Sequence, residues 1–413
     1  MMPQAGGSAV VHGRSRSRPV GHTGGVTAED WIAVVGGALL VATVLASALR
    51  TVVLPQGGLT GITRFVFAVA DRVFTSSGSR RPLPRRVAGL YAPAALVSLP
   101  FAWCMLLAVG FAFVLWGLGV GSPSDAWVTS GSSLFTLGFA KPDGPGLIWL
   151  TFVEATIGLG IVALLISYLP TLYTAYSARE QGVTMLSPIT GSPPAAPQLL
   201  RRLHAAHALD GLAVWGQTTT WFVAMHQSHT AFPALARFPP QERDHSWVAT
   251  AGAVLDASAV MLSVAETKDG RPLTGATSSG EEGSELGPML LTLTQGIAAV
   301  VATARAAGLA VERDPPSILD LVAGDSAAVE AISIDRAEYE QALDWLEVGG
   351  VIGSVDHDAG WGRFAHVRAS YDTALRALAG LTHAPSAPWT TDRPLRVGRP
   401  RFFSHRPVAM QEP

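Results

Sequence analysis

The stretch Ser122 to Gly146, SPSDAWVTSGSSLFTLGFAKPDGPG, decides how the rest of the chain is read. Ser124 or Asp125 is placed to cap a short helix through Trp127, Val128, Ser132, Ser133 and Phe135, about three turns long. A bilayer takes ~20 mostly apolar residues to cross, so this helix is too short to span but long enough to dip in and return. The expectation is a re-entrant hairpin. Backbone that leaves a helix at membrane depth is tolerated only where protein buries it or where it lines a water-filled path. The segment after the helix, Thr136 to Ala140, is therefore expected to be a pore lining or a buried plug.

Long apolar segments flank the hairpin on both sides. Ala88 to Val120 has 33 uncharged residues, with Pro100 placed to kink it or to set off an interfacial turn. Leu147 to Tyr173 is interrupted by one charge, Glu154, and Trp31 to Leu49 adds 19 residues without a charge. Three transmembrane helices are predicted. The connection from Arg50 to Arg86 holds seven Arg and one Asp, against one Lys and two Asp between Gly121 and Gly146. The arginine-rich side is expected to face the cytoplasm, with the N-terminus outside and the C-terminal half inside, although Arg14, Arg16 and Arg18 favour the reverse. Trp31, Trp116, Trp127 and Trp149 then fall near the outer interface. Within the inner loop, Leu59 to Phe74 sets Ile62, Phe65, Val66, Val69 and Val73 opposite Arg64, Asp71 and Arg72. This is the pattern of a helix lying on the membrane or packed on protein.

Composition agrees with two environments in one chain. Charged residues make up 15% of the 413, against ~25% in ordinary soluble domains. Met1 to Ser177 carries eleven Lys/Arg and six Asp/Glu, whereas the remainder carries eighteen and twenty-five. The single cysteine, Cys104, excludes an intrachain disulfide and a Cys-based zinc ribbon. Residues 1–27 read as a disordered leader rather than a cleaved signal.

In its order of outer helix, pore helix, loop and inner helix, the segment from about Ala88 to Glu180 resembles the pore module of the potassium channel family. That family's loop reads Thr-Val-Gly-Tyr-Gly-Asp, and this chain has Thr136, Leu137, Gly138, Phe139, Ala140 and Lys141 in the matching places. The resemblance implies a homotetramer in which Thr136 to Ala140 form a selectivity filter, with Lys141 and Asp143 at the pore mouth and Ser132, Ser133 and Phe135 on the pore helix. Such a filter replaces an ion's water with backbone carbonyls and needs alternating, unusual dihedrals. Glycine adopts these at little cost, whereas a left-handed Ala140 would cost ~1–2 kcal/mol per subunit. Four Lys141 ammoniums near a mouth would repel cations by ~1 kcal/mol each unless Asp143 offsets them. Gly158 and Gly160 lie roughly 17–20 Å down the third span, where an inner helix would bend or pack closely. Glu154, one turn above Gly158, is expected to line the path or to anchor the pore helix through Ser130, Ser132 or Ser133.

Residues 187–198 read as a linker and 199–381 as a cytosolic helical domain. Helices are predicted at Leu199 to Gln227, Gln241 to Glu266, Leu286 to Leu309, Arg336 to Val348 and Arg363 to Leu381. Lys268 to Gly287 reads as a polar loop and 382–413 as a disordered tail. Leu286 to Thr303 is apolar enough for a fourth span, but Thr292, Thr294, Gln295 and Arg305 favour a buried core helix, as Asp256 does for Gln241 to Glu266. His204 with His207, and His226 with His229, are spaced to meet as nitrogen ligands, or to stay apart as solvent-facing or capping side chains. No phosphate-binding loop, metalloprotease helix or nucleophile elbow is present, and no voltage-sensing array of basic residues.

The expectation is an all-α, multi-pass plasma-membrane protein that conducts monovalent cations, potassium first, as a homotetramer in contact with lipid. Neither enzymatic activity, nor a cofactor or resident metal, nor a nucleic-acid partner is expected. The alternative is a non-conducting scaffold or sensor that keeps the channel fold.

Overall fold

The structure is a computed structural model that describes residues 27–52, 91–209, 211–238, 240, 245–265, 286–323, 332–353, 355–382, 384–397 and 410–411, together with 61, 62, 65, 66 and 69. The N-terminal leader, most of the arginine-rich connection and nearly all of the polar loop 268–287 lie outside the described residues. So does the tail beyond 397, apart from 410 and 411. In the amphipathic segment, Ile62 and Val66 pack on a cluster that includes Val44, Ala48 and Leu99. Phe65 and Val69 stay exposed.

The first helix, α1 (Ala28–Val52), opens on a reciprocal cap. Thr27 donates its backbone N–H and its hydroxyl to Asp30 Oδ2 at 2.8 and 2.7 Å, and Asp30 N–H returns to Thr27 Oγ1. It runs antiparallel to α2 (Tyr91–Gly117), which continues through Pro100 without a break, so no separate interfacial turn forms there. The two backbones touch where side chains are missing. A Cβ on Gly37 would lie 2.5 Å from the Gly110 carbonyl oxygen, and one on Gly117 would lie 2.5 Å from that of Asp30. Close approach through small residues is how helices associate where lipid removes the hydrophobic drive. This register puts Trp31 and Trp116 at one end of the pair, both exposed.

A short α3 (Pro123–Leu134) and a very long α4 (Pro145–Thr190) complete this part. At 46 residues, α4 is about 69 Å long, twice what a bilayer needs. Its first half exposes Trp149, Phe152, Leu159 and Ile166. Its second half enters a helical bundle and takes up the first residues of the expected linker. There Arg179 is fully enclosed, donating Nε to Glu180 at 2.8 Å and Nη1 to the Leu235 carbonyl at 2.9 Å. Trp221 Nε1 donates to the Arg179 carbonyl at 3.1 Å.

The bundle comprises α5 (Ala196–Ala205), α6 (Leu212–Ala231), a 3-10 turn (Pro233–Arg237), α7 (Trp247–Val264), α8 (Gly287–Ala306), α9 (Ile318–Ala323), α10 (Arg336–Val348), α11 (His357–Ala369) and α12 (Asp372–Thr382). Two predicted helices are each split. Leu199 to Gln227 breaks between α5 and α6, where His207 is left-handed (φ 51). Arg363 to Leu381 breaks at Ser370 and Tyr371. Among the described residues the sheet content is a two-residue antiparallel pairing of β1 (Arg396–Val397) with β2 (Met410–Gln411). At the centre is α7, buried at every position but Met261. Its Asp256 is held by Arg368 from α11 and by Tyr371, whose hydroxyl donates at 2.7 Å. Arg368 also donates to Asp372 at 3.0 Å and to the Trp389 carbonyl at 2.7 Å.

Among the described residues five helices are long and apolar enough to cross a membrane, which marks the chain as a multi-pass membrane protein: α1, Ser98–Gly117 of α2, α4, α7 and α8. That is two more than the three predicted. Of the additional pair, α7 is 94% buried inside protein, whereas α8 is 56% buried, the same as Ser98–Gly117 of α2, and the α4 window is 17% buried.

Removing one partner of a buried ion pair leaves an uncompensated charge and costs ~3–5 kcal/mol. Asp256→Asn and Arg368→Met are each expected to lower the unfolding free energy of the bundle by that order, with a lower unfolding midpoint. The Asp256→Leu/Arg368→Met double variant should lose less than the sum, as read by thermal unfolding. Sensitivity to acid is expected as well. His229 on α6 is fully buried, with Nδ1 2.9 Å from the Met225 carbonyl and its ring 5.2 Å from Trp247. Burial and then the charge of Arg179 push its imidazole down to about 3. The folded state thus holds fewer protons than the unfolded chain below pH ~6.5, so this stability is complete above ~6.5 and falls away as pH drops toward 3. At pH 5 the loss is roughly 2 kcal/mol. Unfolding midpoints measured from pH 7 to 5 should fall in the wild type and fall less in His229→Gln.

Candidate functional site

The site is built on α3. Its N-cap is Ser122, not Ser124 or Asp125 as the sequence predicts. Pro123 occupies the first helical position, where its missing N–H costs nothing, and this sets Asp125 at the third. From there its carboxylate accepts the Ser122 backbone N–H at 2.8 Å, while Ser122 Oγ accepts the Asp125 N–H at 3.3 Å. Trp127 and Trp149, the other two tryptophans of the expected belt, are exposed.

One turn past Trp127, α3 is tied to both long helices that flank it. Ser130 Oγ lies 2.9 Å from the Ala108 carbonyl of α2 and is hydrogen-bonded to Glu154 Oε1 of α4. Glu154 has no exposed surface, and its Oε2 has no partner among the described residues. Of the three serines considered for this anchor, Ser130 alone bonds to Glu154. Ser133 instead donates to the Thr129 carbonyl at 3.0 Å. A turn below, a Cβ on Gly158 would strike the Leu134 carbonyl oxygen, so this glycine lets α4 touch the end of α3. Among the described residues a Cβ on Gly160 would meet no other atom within 4 Å beyond its own helix backbone. The helix runs unbroken through both, and the two glycines predicted as a pair have separate surroundings.

Ser132 organises the loop. Its backbone carbonyl accepts the N–H of Leu137 at 2.8 Å and of Gly138 at 3.3 Å. Its hydroxyl accepts those of Phe139 and Ala140, both at 3.0 Å. The N–H groups of Phe135 and Thr136 return to Gly131 and Ser133. Six consecutive N–H groups thus point back at the helix, and among the described residues no carbonyl from Thr136 to Ala140 accepts a backbone hydrogen bond. The backbone is left-handed at alternate positions, Thr136 (φ 53) and Gly138 (φ 71). The cost expected at Ala140 falls instead on Thr136, a β-branched residue for which such a φ is an outlier. Leu137 and Phe139 are 62% and 68% exposed. Lys141 and Asp143 are exposed too, with no ion pair between them among the described residues, so Asp143 does not neutralise Lys141 within one chain.

The four histidines singled out in the sequence do not gather. His204 and His207 are exposed around the end of α5, and His229 is buried with Nδ1 facing the Met225 carbonyl. Sequence reasoning missed Ala108 as a backbone acceptor and the double role of Ser132. A backbone carbonyl leaves no signature in residue identity, while Ser132 was assigned to the pore helix and weighed as a Glu154 anchor, not as the group that holds the loop.

No protein-family model, characterised protein or solved structure matches this chain, so the loop is read on its own geometry.

Gly158 and Gly160 should respond to alanine with opposite signs. Gly158→Ala forces the backbones of α3 and α4 apart and is expected to cost ~1–3 kcal/mol. Gly160→Ala adds a better helix former in open space and should gain up to ~0.5–1 kcal/mol. Melting of the purified protein in mild detergent reads both.

Proposed function

We propose that the chain is one subunit of a tetrameric pore-loop channel for monovalent cations, potassium first, with the loop Thr136 to Ala140 as its filter. The observation that carries this reading is the direction of the loop's hydrogen bonds. With six successive N–H groups turned onto α3, the carbonyls remain for an ion, and alternate left-handed residues are the backbone a carbonyl-lined path requires. Four copies enclose such a path where one cannot, and they would cover Leu137 and Phe139.

In this reading α1, α2 and the first half of α4 cross the plasma membrane, with lipid against the exposed apolar face of α4. The helices α7 and α8 stay inside a cytoplasmic bundle, where Asp256 is already paired. Glu154 serves as the anchor of α3. Gly158 packs α4 against the end of that helix, and Gly160, with open space around it, is the place left for bending. A second reading rests on Lys141. Four unneutralised ammoniums beside the mouth oppose cation entry, and a non-conducting scaffold or sensor of the same architecture would tolerate them.

Purified protein in liposomes holding a potassium gradient should pass potassium without valinomycin, and Gly138→Asp should abolish that flux. A monomer or dimer in mild detergent, or no flux of any monovalent cation from verified tetramers, would count for the scaffold.

A further inference from the structure

Away from the loop, the bundle brings three metal-ligating side chains together from two helices. Asp344 and Glu347 are three residues apart on one face of α10, and His357 is the first residue of α11. One ligand atom from each lies within 4.8 Å of the other two, and His357 Nε2 is 3.5 Å from Glu347 Oε1. The arrangement is fixed by its surroundings. Asp356 caps α11, accepting the N–H groups of Asp358 and Ala359 at 2.9 and 3.2 Å, which sets where His357 starts. The Val355 N–H donates to Glu347 Oε1 at 3.3 Å and orients that carboxylate.

The charges here are unbalanced. Arg336, the basic residue on the same face of α10, is committed to Glu340 and Asp358. Among the described residues Asp344 has no ion pair or hydrogen bond, and the side-chain group paired with Glu347 is the imidazole. Two carboxylates therefore converge on one histidine with no cation between them. We propose that Asp344, Glu347 and His357 form a three-ligand site for a divalent transition-metal ion of the zinc and manganese class, which ties α10 to the start of α11. The imidazole favours this class over calcium and magnesium, and the absence of a thiolate sets it apart from sites for softer ions. All three side chains are partly or fully exposed, so water completes the coordination. The site is independent of whether the pore conducts.

The test uses the full-length protein in detergent, titrated with zinc chloride by calorimetry, with cobalt absorption as a spectroscopic readout. One zinc per chain is expected, with a melting temperature that rises with zinc. Asp344→Asn and His357→Gln should each weaken binding by at least about tenfold and remove the cobalt bands. Asp344 is exposed and, among the described residues, without a partner, so its variant should retain the metal-free melting temperature and separate loss of the site from loss of the fold. The His204→Gln/His207→Gln control should bind as the wild type does. Absence of binding at millimolar zinc, or binding that survives both site variants or disappears in the histidine control, would overturn the proposal.

Discussion

A carboxyl group with no exposed surface joins three helices. Glu154 on α4 meets Ser130 on α3, and Ser130 in turn meets a backbone carbonyl of α2. An unpaired carboxyl in such surroundings is expensive, so this contact fixes the depth and rotation of α3. The geometry of the loop depends on that placement. Ser132 lies just beyond the anchor, and both its carbonyl and its hydroxyl hold the loop's N–H groups. Gly158 then admits the end of α3 against α4, so that anchor, loop and close approach act as one unit.

Much of this layout was legible in the sequence because hydrophobic length and charge asymmetry are local properties. The short helix, the long apolar segments and the buried role of Glu154 all reflect groups that cannot be left exposed in lipid. Other features depend on partners far away in the chain. The Trp247–Val264 segment has the composition of a span, and the group that accounts for Asp256 in its middle is Arg368, 112 residues further on. The cap at Ser122 was missed because Pro123 shifts the helix start by one turn's chemistry. The site of backbone strain was misplaced because the loop's handedness is set by Ser132, not by residue type alone. The split between α5 and α6 was hidden by helix-compatible residues on both sides of the turn at His207.

The two parts of the molecule are stabilised by different means. Between α1 and α2, backbones meet at Gly37, Gly110 and Gly117, a close approach through small residues. In the bundle, a dense apolar core surrounds α7, and its buried Asp256, Arg368 and Asp372 are paired with one another. The two parts meet at Arg179, whose guanidinium is enclosed by carbonyls of the 3-10 turn and whose own carbonyl receives Trp221.

Because α4 carries the loop's anchor near one end and Arg179 further along, both grips sit on one continuous helix, with Gly160 and Pro170 between them. From Gly158 to Arg179 is about 32 Å of unbroken helix. A tilt of about 5° around the Gly158 contact would therefore swing the Arg179 end by about 3 Å. Neither grip can yield by that much without breaking, so a displacement of the bundle relative to the loop has to be absorbed between them, at Gly160 or Pro170.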